Sequence, residues 1–272
     1  MKLGLLVSLT AAPTIEEKVK ALAEMGFSSC QITCWDMSLY TDEMAARVKN
    51  ALAENGVTIS TLWCGWSGRK KWNFYDGQLT LGLVPEAYRA QRIEELKRGS
   101  DFAKKIGATQ IATHAGFLPE NPYSYEYHGV IAALREVAEY TKANGQYFLF
   151  ETGQETPTTL LRAMEDVRTD NLGINLDPAN FILYGKANPV DALEMLGKYV
   201  RDVHAKDGLY PTNGHDLGRE TPLGEGKVNV PLFIKTLKDC GYDGAITIER
   251  EISGEKQIAD IKAGKALLEQ YI

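Results

Sequence analysis

The sequence predicts a single-domain (β/α)8 barrel spanning residues 1–272, and three observations carry that prediction. Short apolar runs alternate with longer amphipathic stretches, and the alternation repeats eight times. The length, 272 residues, suits one barrel, which takes roughly 250. No glycine-rich dinucleotide turn follows the first apolar run, so a closed barrel is expected rather than an open, doubly wound sheet.

The strand-like runs are 3–9 (LGLLVSL), 28–34 (SSCQITC), 57–63 (VTISTLW), 109–114 (TQIATH), 147–151 (YFLFE), 172–177 (LGINLD), 200–204 (VRDVH) and 245–249 (AITIE). Each is rich in β-branched or aromatic residues, as strands covered on both faces require. Thr14 and Glu17 have the spacing of a capping box and open a helix that closes at Gly26. A second helix runs over 41–54 and stops before Asn55-Gly56; a third, 86–106, follows Pro85 and ends at Gly107. Further helices are expected at 124–144, 157–167, 189–197, 230–239 and 255–271. Gly26, Gly56, Gly107, Gly145 and Gly241 each stand just before a strand, where a helix C-terminus calls for a left-handed residue. Two long connections, 65–85 and 205–228, leave the C-terminal ends of the third and seventh strands. Barrel enzymes build their sites at that end, so these are candidate lids or substrate loops, against the plainer reading of surface decoration.

With 44% hydrophobic and 24% charged residues, the chain has material for a large core. A net charge of −6 argues against a nucleic-acid partner, because phosphate recognition needs a basic footprint. The run Arg69-Lys70-Lys71 is brief and reads as a solvated loop. No apolar stretch reaches the roughly 20 residues of a membrane span. The N-terminal run MKLGLLVSLT is too short and poorly flanked for a signal peptide, so a cytoplasmic protein is expected. Cys30, Cys34, Cys64 and Cys240 lack CxxC spacing and are expected to be buried free thiols.

Polar residues fall in one informative place. Strands five to eight end in Glu151, Asp177, His204 and Glu249, each closing an otherwise mostly apolar run. In a closed barrel this puts three carboxylates and an imidazole around the mouth. Crowded carboxylates repel unless they take up protons or a cation sits between them, and a divalent metal resolves the conflict. The alternative is a set of rim residues paired in salt bridges. Oxygen-rich ligation with one imidazole suits Mn²⁺, Mg²⁺ or Co²⁺, with Mn²⁺ the first expectation; Zn²⁺ also accepts such ligands.

The segments FETGQETP, NLDPANF, DVHAKD, PLGEGKV and TIERE resemble the xylose isomerase-like barrel superfamily of sugar isomerases and epimerases, to which endonuclease IV is distantly related. The resemblance covers nearly the whole chain and is densest over 147–251. It implies the same ligands, Glu151, Asp177, His204 and Glu249, and it implies that Glu151 and Glu249 double as the general acid/base pair. It also implies a homo-oligomer, which the sequence itself does not address. The chain departs from the superfamily at Asn180, where endonuclease IV and some ketose epimerases carry histidine, and before LGEG, where Arg219-Glu220-Thr221-Pro222 contains none. Those departures favour one metal over the three zinc ions of the nuclease, and they weaken a close match to ketose 3-epimerases.

A metal that holds two adjacent sugar oxygens acidifies the C–H between them by stabilising the enediolate. The expected function is therefore metal-dependent isomerisation or epimerisation of a sugar or polyol-like small molecule. Three alternatives stay open: an inosose-type dehydratase using the same groups, a metal-dependent phosphodiesterase or nuclease, and a sugar-binding protein without catalysis. Candidate substrate contacts are Lys206, two beyond His204 on the same strand face, and His114, at the end of strand four. Glu155, Asn180, Trp66 and Arg219 complete the set. Each has a plainer reading: Lys206 pairing with Asp207 or Asp202, His114 in the core, Glu155 as an exposed helix-start carboxylate. Trp63, Trp66 and Trp72 are candidate walls against sugar C–H faces, or simply packing. Arg219 and Arg250 could read an anionic group, Glu251 stands behind Glu249, and Glu225 could support the site from the PLGEGKV turn. Without a glycine-rich phosphate cradle, a neutral sugar is favoured over a sugar phosphate.

Overall fold

A computed structural model describes all residues, 1–272. Eight parallel strands, β1 (Lys2–Ser8), β2 (Ser29–Cys34), β3 (Thr58–Cys64), β4 (Gln110–Thr113), β5 (Tyr147–Glu151), β6 (Leu172–Leu176), β7 (Val200–Ala205) and β10 (Ala245–Ile248), close into a barrel in the order β1-β10-β7-β6-β5-β4-β3-β2. All eight expected strands are present, within a residue or two of the predicted bounds. Ten helices surround them: α1 (Ile15–Glu24), α2 (Asp42–Glu54), α3 (Gly77–Thr80), α4 (Glu86–Ile106), α5 (Tyr125–Ala143), α6 (Pro157–Val167), α7 (Pro178–Leu183), α8 (Pro189–Leu196), α9 (Val230–Asp239) and α10 (Glu255–Leu268). No helix is long and apolar enough to cross a membrane.

The local signals act as the sequence indicates. Thr14 Oγ1 accepts from the Glu17 N–H at 3.3 Å and Glu17 returns the bond to the Thr14 N–H at 2.7 Å, which fixes the start of α1. Gly107 ends α4 at φ 84°, a left-handed conformation that would strain any side chain. The outer core lies between strands and helices, where Ile32, Leu62, Ile111, Phe148, Phe150, Ile174 and Val203 are buried. Inside the barrel the layer below the mouth is polar: Gln31, Thr61, Gln110, Asn175 and Asp202 are buried and bond one another across the strands.

Four small elements escape the sequence pattern. Two are helices: α3, in the connection after β3, and α7, which starts directly after β6 with Asp177 as N-cap and Pro178 at its first position. The others are β8 (Asp207–Leu209) and β9 (Arg219–Thr221), which pair antiparallel inside the connection after β7. That connection and the one after β3 spring from opposite sides of the barrel and meet above its C-terminal end. The Phe74 N–H donates to the His215 carbonyl at 3.0 Å, and Tyr75 stacks on His215 with centroids 4.7 Å apart. All four cysteines are free; Cys240, contrary to expectation, is exposed on its helix end.

Candidate active site

Successive strand ends bring Glu151, Asp177, His204 and Glu249 together. Glu151 closes β5, His204 is the penultimate residue of β7, and Asp177 and Glu249 stand one residue beyond β6 and β10. One ligand atom from each lies within 4.8 Å of the others, the single such gathering of His, Cys, Asp and Glu side chains in the chain.

His204 decides what the cluster can hold. Its Nε2 lies 2.7 Å from Gln31 Oε1, an acceptor, and 3.2 Å from Asn175 Nδ2, a donor; the shorter contact assigns the ring proton to Nε2. That leaves the Nδ1 lone pair facing Glu249 Oε2 at 3.2 Å, Glu151 Oε1 at 3.5 Å and Asp177 Oδ2 at 3.6 Å. Neither Nδ1 nor Asp177 Oδ2 has a hydrogen-bond partner, though both are buried. A lone pair aimed at three carboxylates is stable only with a proton or a cation among them. Burial lowers the basicity of His204, but Glu249 and Glu151 outweigh it and lift its pKa well above the usual value. One imidazole nitrogen and three carboxylate oxygens are a donor set that fits a hard or borderline divalent cation.

Gln31 is itself held by donating from Nε2 to Asp202 Oδ2 at 3.1 Å and Asn175 Oδ1 at 3.3 Å. Sequence reasoning passed over this support. Its trace was the period-two recurrence of polar residues, Gln31 and Thr33 on β2, Asp202 and His204 on β7, within runs read as mostly apolar.

The other two carboxylates are tuned differently. Glu151 accepts from Trp63 Nε1, from Asn180 Nδ2 at 3.2 Å and from Asn175 Nδ2 at 3.5 Å, with His114 Nε2 3.6 Å away. Burial would raise its pKa, yet His114 and His204 bring it below the usual carboxylate range. Glu249 is lowered further: Lys206 and His204 overcome its burial.

Lys206 points into the site as its strand parity predicts, with Nζ 2.8 Å from Glu251, 3.0 Å from Glu249 and 3.5 Å from Asp177. Burial opposes its charge, but Glu249 and Glu251 outweigh that and raise its pKa well above normal. Neither Asp207 nor Asp202, the partners offered by its plainer reading, takes that role. Asp207 instead accepts from the backbone N–H groups of Gly208, Gly224, Gly226 and Val228 at 2.8–3.0 Å. It thereby folds the PLGEGKV turn around a buried carboxylate, while Glu225 points out to solvent.

A cavity of about 550 Å³ opens beside the cluster, and His114, Asn180 and Lys206 line it with Glu151 and Glu249. Three expectations fail here. Trp66 is 1% exposed and sits behind the wall, covered by the Arg92 guanidinium at 5.1 Å; the aromatics that line the cavity are Trp35, Trp63, Trp72 and Tyr184. Glu155 is neither exposed nor in the cavity: it is buried with both oxygens unpartnered, and burial pushes its carboxyl up to about 8. Arg219 lies exposed on β9, outside the cavity. Arg250 reaches the cavity wall but is committed to Glu220 at 2.8 Å and Asp260 at 2.9 Å.

The comparisons agree with this geometry. The chain is 33% identical, with a TM-score of 0.93, to the crystal structure of a xylose isomerase domain protein from Planctomyces limnophilus, covering 99% of this chain and 96% of that one. It is 28% identical over 205 residues to the uncharacterized protein MJ1311 of Methanocaldococcus jannaschii, covering 71% of this chain and 67% of that protein. Fructoselysine 3-epimerase of Escherichia coli O157:H7 is 24% identical over 259 residues, 92% of this chain and 90% of the enzyme. The sequence profile of the xylose isomerase-like TIM barrels matches residues 19–271, and the chain belongs to that family.

Proposed function

We propose that the chain is a divalent-metal-dependent sugar isomerase or epimerase, with Mn²⁺ as the first choice of ion, held by Glu151, Asp177, His204 and Glu249. The observation that carries this reading is His204 Nδ1, buried without a hydrogen-bond partner and 3.2–3.6 Å from oxygens of three carboxylates. The single cluster favours one ion over three, and with it sugar chemistry over nuclease chemistry. Similarity to a fructoselysine 3-epimerase over 92% of the chain supports the same class of reaction.

When bound, the ion supplies Lewis-acid stabilisation of the enediolate charge. The residues do the rest. Glu151 and Glu249 come from β5 and β10, on different sides of the cluster, and can take and return a proton on opposite faces of one carbon. Lys206 is held cationic beside Glu249, where it can stabilise a developing oxyanion. Trp63 and Asn180 orient Glu151.

The test is proton exchange. In D₂O with Mn²⁺, ketoses, aldoses and inosose are screened for deuterium entering a substrate carbon, with product mass recorded. Exchange without mass loss is expected, and Glu151→Gln and Glu249→Gln should each reduce it at least 100-fold. Loss of one water would point to a dehydratase, and near-normal exchange in both variants would remove the acid/base assignment.

A further inference from the structure

The cavity of about 550 Å³ has apolar as well as polar walls, and strand parity tells where the apolar part lies. Strand parity assigns each lining residue a layer. His204 pairs with Thr247, Thr247 with Gly4, and Leu6 with Gln31, so Leu6 and Ser8 face the barrel interior with the catalytic groups. Leu5 and its register partner Ile248 face the opposite way, toward the helices. Ile248 Cδ1 indeed reaches within 3.7 Å of the Cβ position of Gly264 on α10. Yet Leu6, Ser8, Leu5 and Ile248 all line the same cavity, together with Ile252 and Ile261. The cavity therefore crosses the β1–β10 rim and continues as an arm beneath α10.

The arm has little to offer a hydroxyl. Its walls are Leu5, Ile248, Ile252 and Ile261, and the donors beside them are committed: Gln257 Nε2 donates to the Arg250 carbonyl at 2.8 Å, and Arg250 is paired with Glu220 and Asp260. Sugar hydroxyls pressed against those isoleucines would lose water without gaining partners. An alkyl group there gains instead. Ile248 and Glu249 line one cavity, so the arm and the cluster open into the same space.

We infer that the substrate is a carbonyl-bearing sugar that carries an apolar substituent, rather than a free monosaccharide, and that this substituent lies in the arm under α10. The inference rests on the proposed function for the identity of the sugar part, and on the cavity alone for the apolar part.

Calorimetry of the Mn²⁺-loaded protein, repeated without Mn²⁺, with methyl, butyl and hexyl β-D-glucopyranosides tests it. Full burial is worth about fourfold in affinity per methylene, so butyl should bind at least tenfold tighter than methyl, and hexyl tighter still. Ile252→Asp places a charge in the arm from a loop position, and Ile261→Asn places a neutral amide there from α10. Each should cut the hexyl-to-methyl ratio to below threefold, and either one alone suffices if the other fails to fold. Equal affinity along the series, no binding of the hexyl compound, or an unchanged ratio in the folded variants overturns the inference. The alkyl glucosides carry no carbonyl and report binding alone, so a chain-length dependence together with no deuterium exchange in any carbonyl sugar of the screen would leave the arm standing and sink the isomerase reading, and the two failures are distinguishable.

Discussion

A histidine that binds metal through Nδ1 must keep its proton on Nε2, and in this site one amide enforces that choice. Gln31 Oε1 accepts from His204 Nε2, while the same amide's nitrogen is tied to Asp202 and Asn175 and so cannot turn its NH₂ toward the ring. Gln31→Leu should weaken Mn²⁺ binding about 10- to 100-fold by calorimetry, the usual cost of losing such outer support. A thermal midpoint measured in chelator separates that loss from general destabilisation. If affinity held while the midpoint fell, Gln31 would be only a core residue. The quartet itself was readable from the sequence because each member interrupts an apolar run at a strand end. Its supports were not, since a glutamine within SSCQITC gives no sign of the histidine 173 residues away that it touches. Trp66 and Glu155 misled for a related reason: residues just past a strand end lie near the mouth, but loop paths follow no period, and both turn into packed interior.

At the scale of elements, strands and long helices were legible through their hydrophobic periods, whereas α3, of 4 residues, α7 and the β8–β9 pair were not. A helix of 6 residues and strands of 3 are too short to show a period. What organises the second of these is a buried charge. Asp207 collects four backbone N–H groups, and the turn wraps so closely that a Cβ on Gly226 would stand 2.0 Å from Asp207 Oδ1 and 2.5 Å from the Gly208 nitrogen. Gly226→Ala must therefore push the turn off its carboxylate. It should cost about 2–4 kcal/mol in urea unfolding, as disruption of a buried hydrogen-bond network does. Gly214→Ala, in the same connection but with open space at its Cβ, should stay within about 0.5 kcal/mol. Equal effects at the two positions would show that the turn tolerates looser packing than its hydrogen bonds indicate. Because Asp207 is the immediate neighbour of Lys206, the loosened turn should also reduce exchange activity.

For the molecule as a whole, the closed barrel followed from eight alternations, but its interior defies the apolar pattern read from the strands: polar groups fill the layer beneath the mouth, and three carboxylates crown it. The protein carries a net charge of −6, and at the mouth only Lys206, His204 and His114 oppose Glu151, Asp177 and Glu249 at close range. A cation held there links residues that follow β5, β6, β7 and β10, half of the closed sheet, so its binding should stabilise the fold as a unit. At 100 times its dissociation constant a ligand specific for the folded state adds about 2.7 kcal/mol. For a domain of this size that corresponds to a rise of roughly 5–10 °C in the thermal midpoint. Asp177→Asn is the informative control, because asparagine caps a helix as well as aspartate does and α7 keeps its start while the ligand charge is lost. The variant should unfold near the midpoint of chelator-treated wild type and gain little from Mn²⁺. A wild-type midpoint that stays put at saturating Mn²⁺ would mean that the quartet does not clamp the ion across these strands.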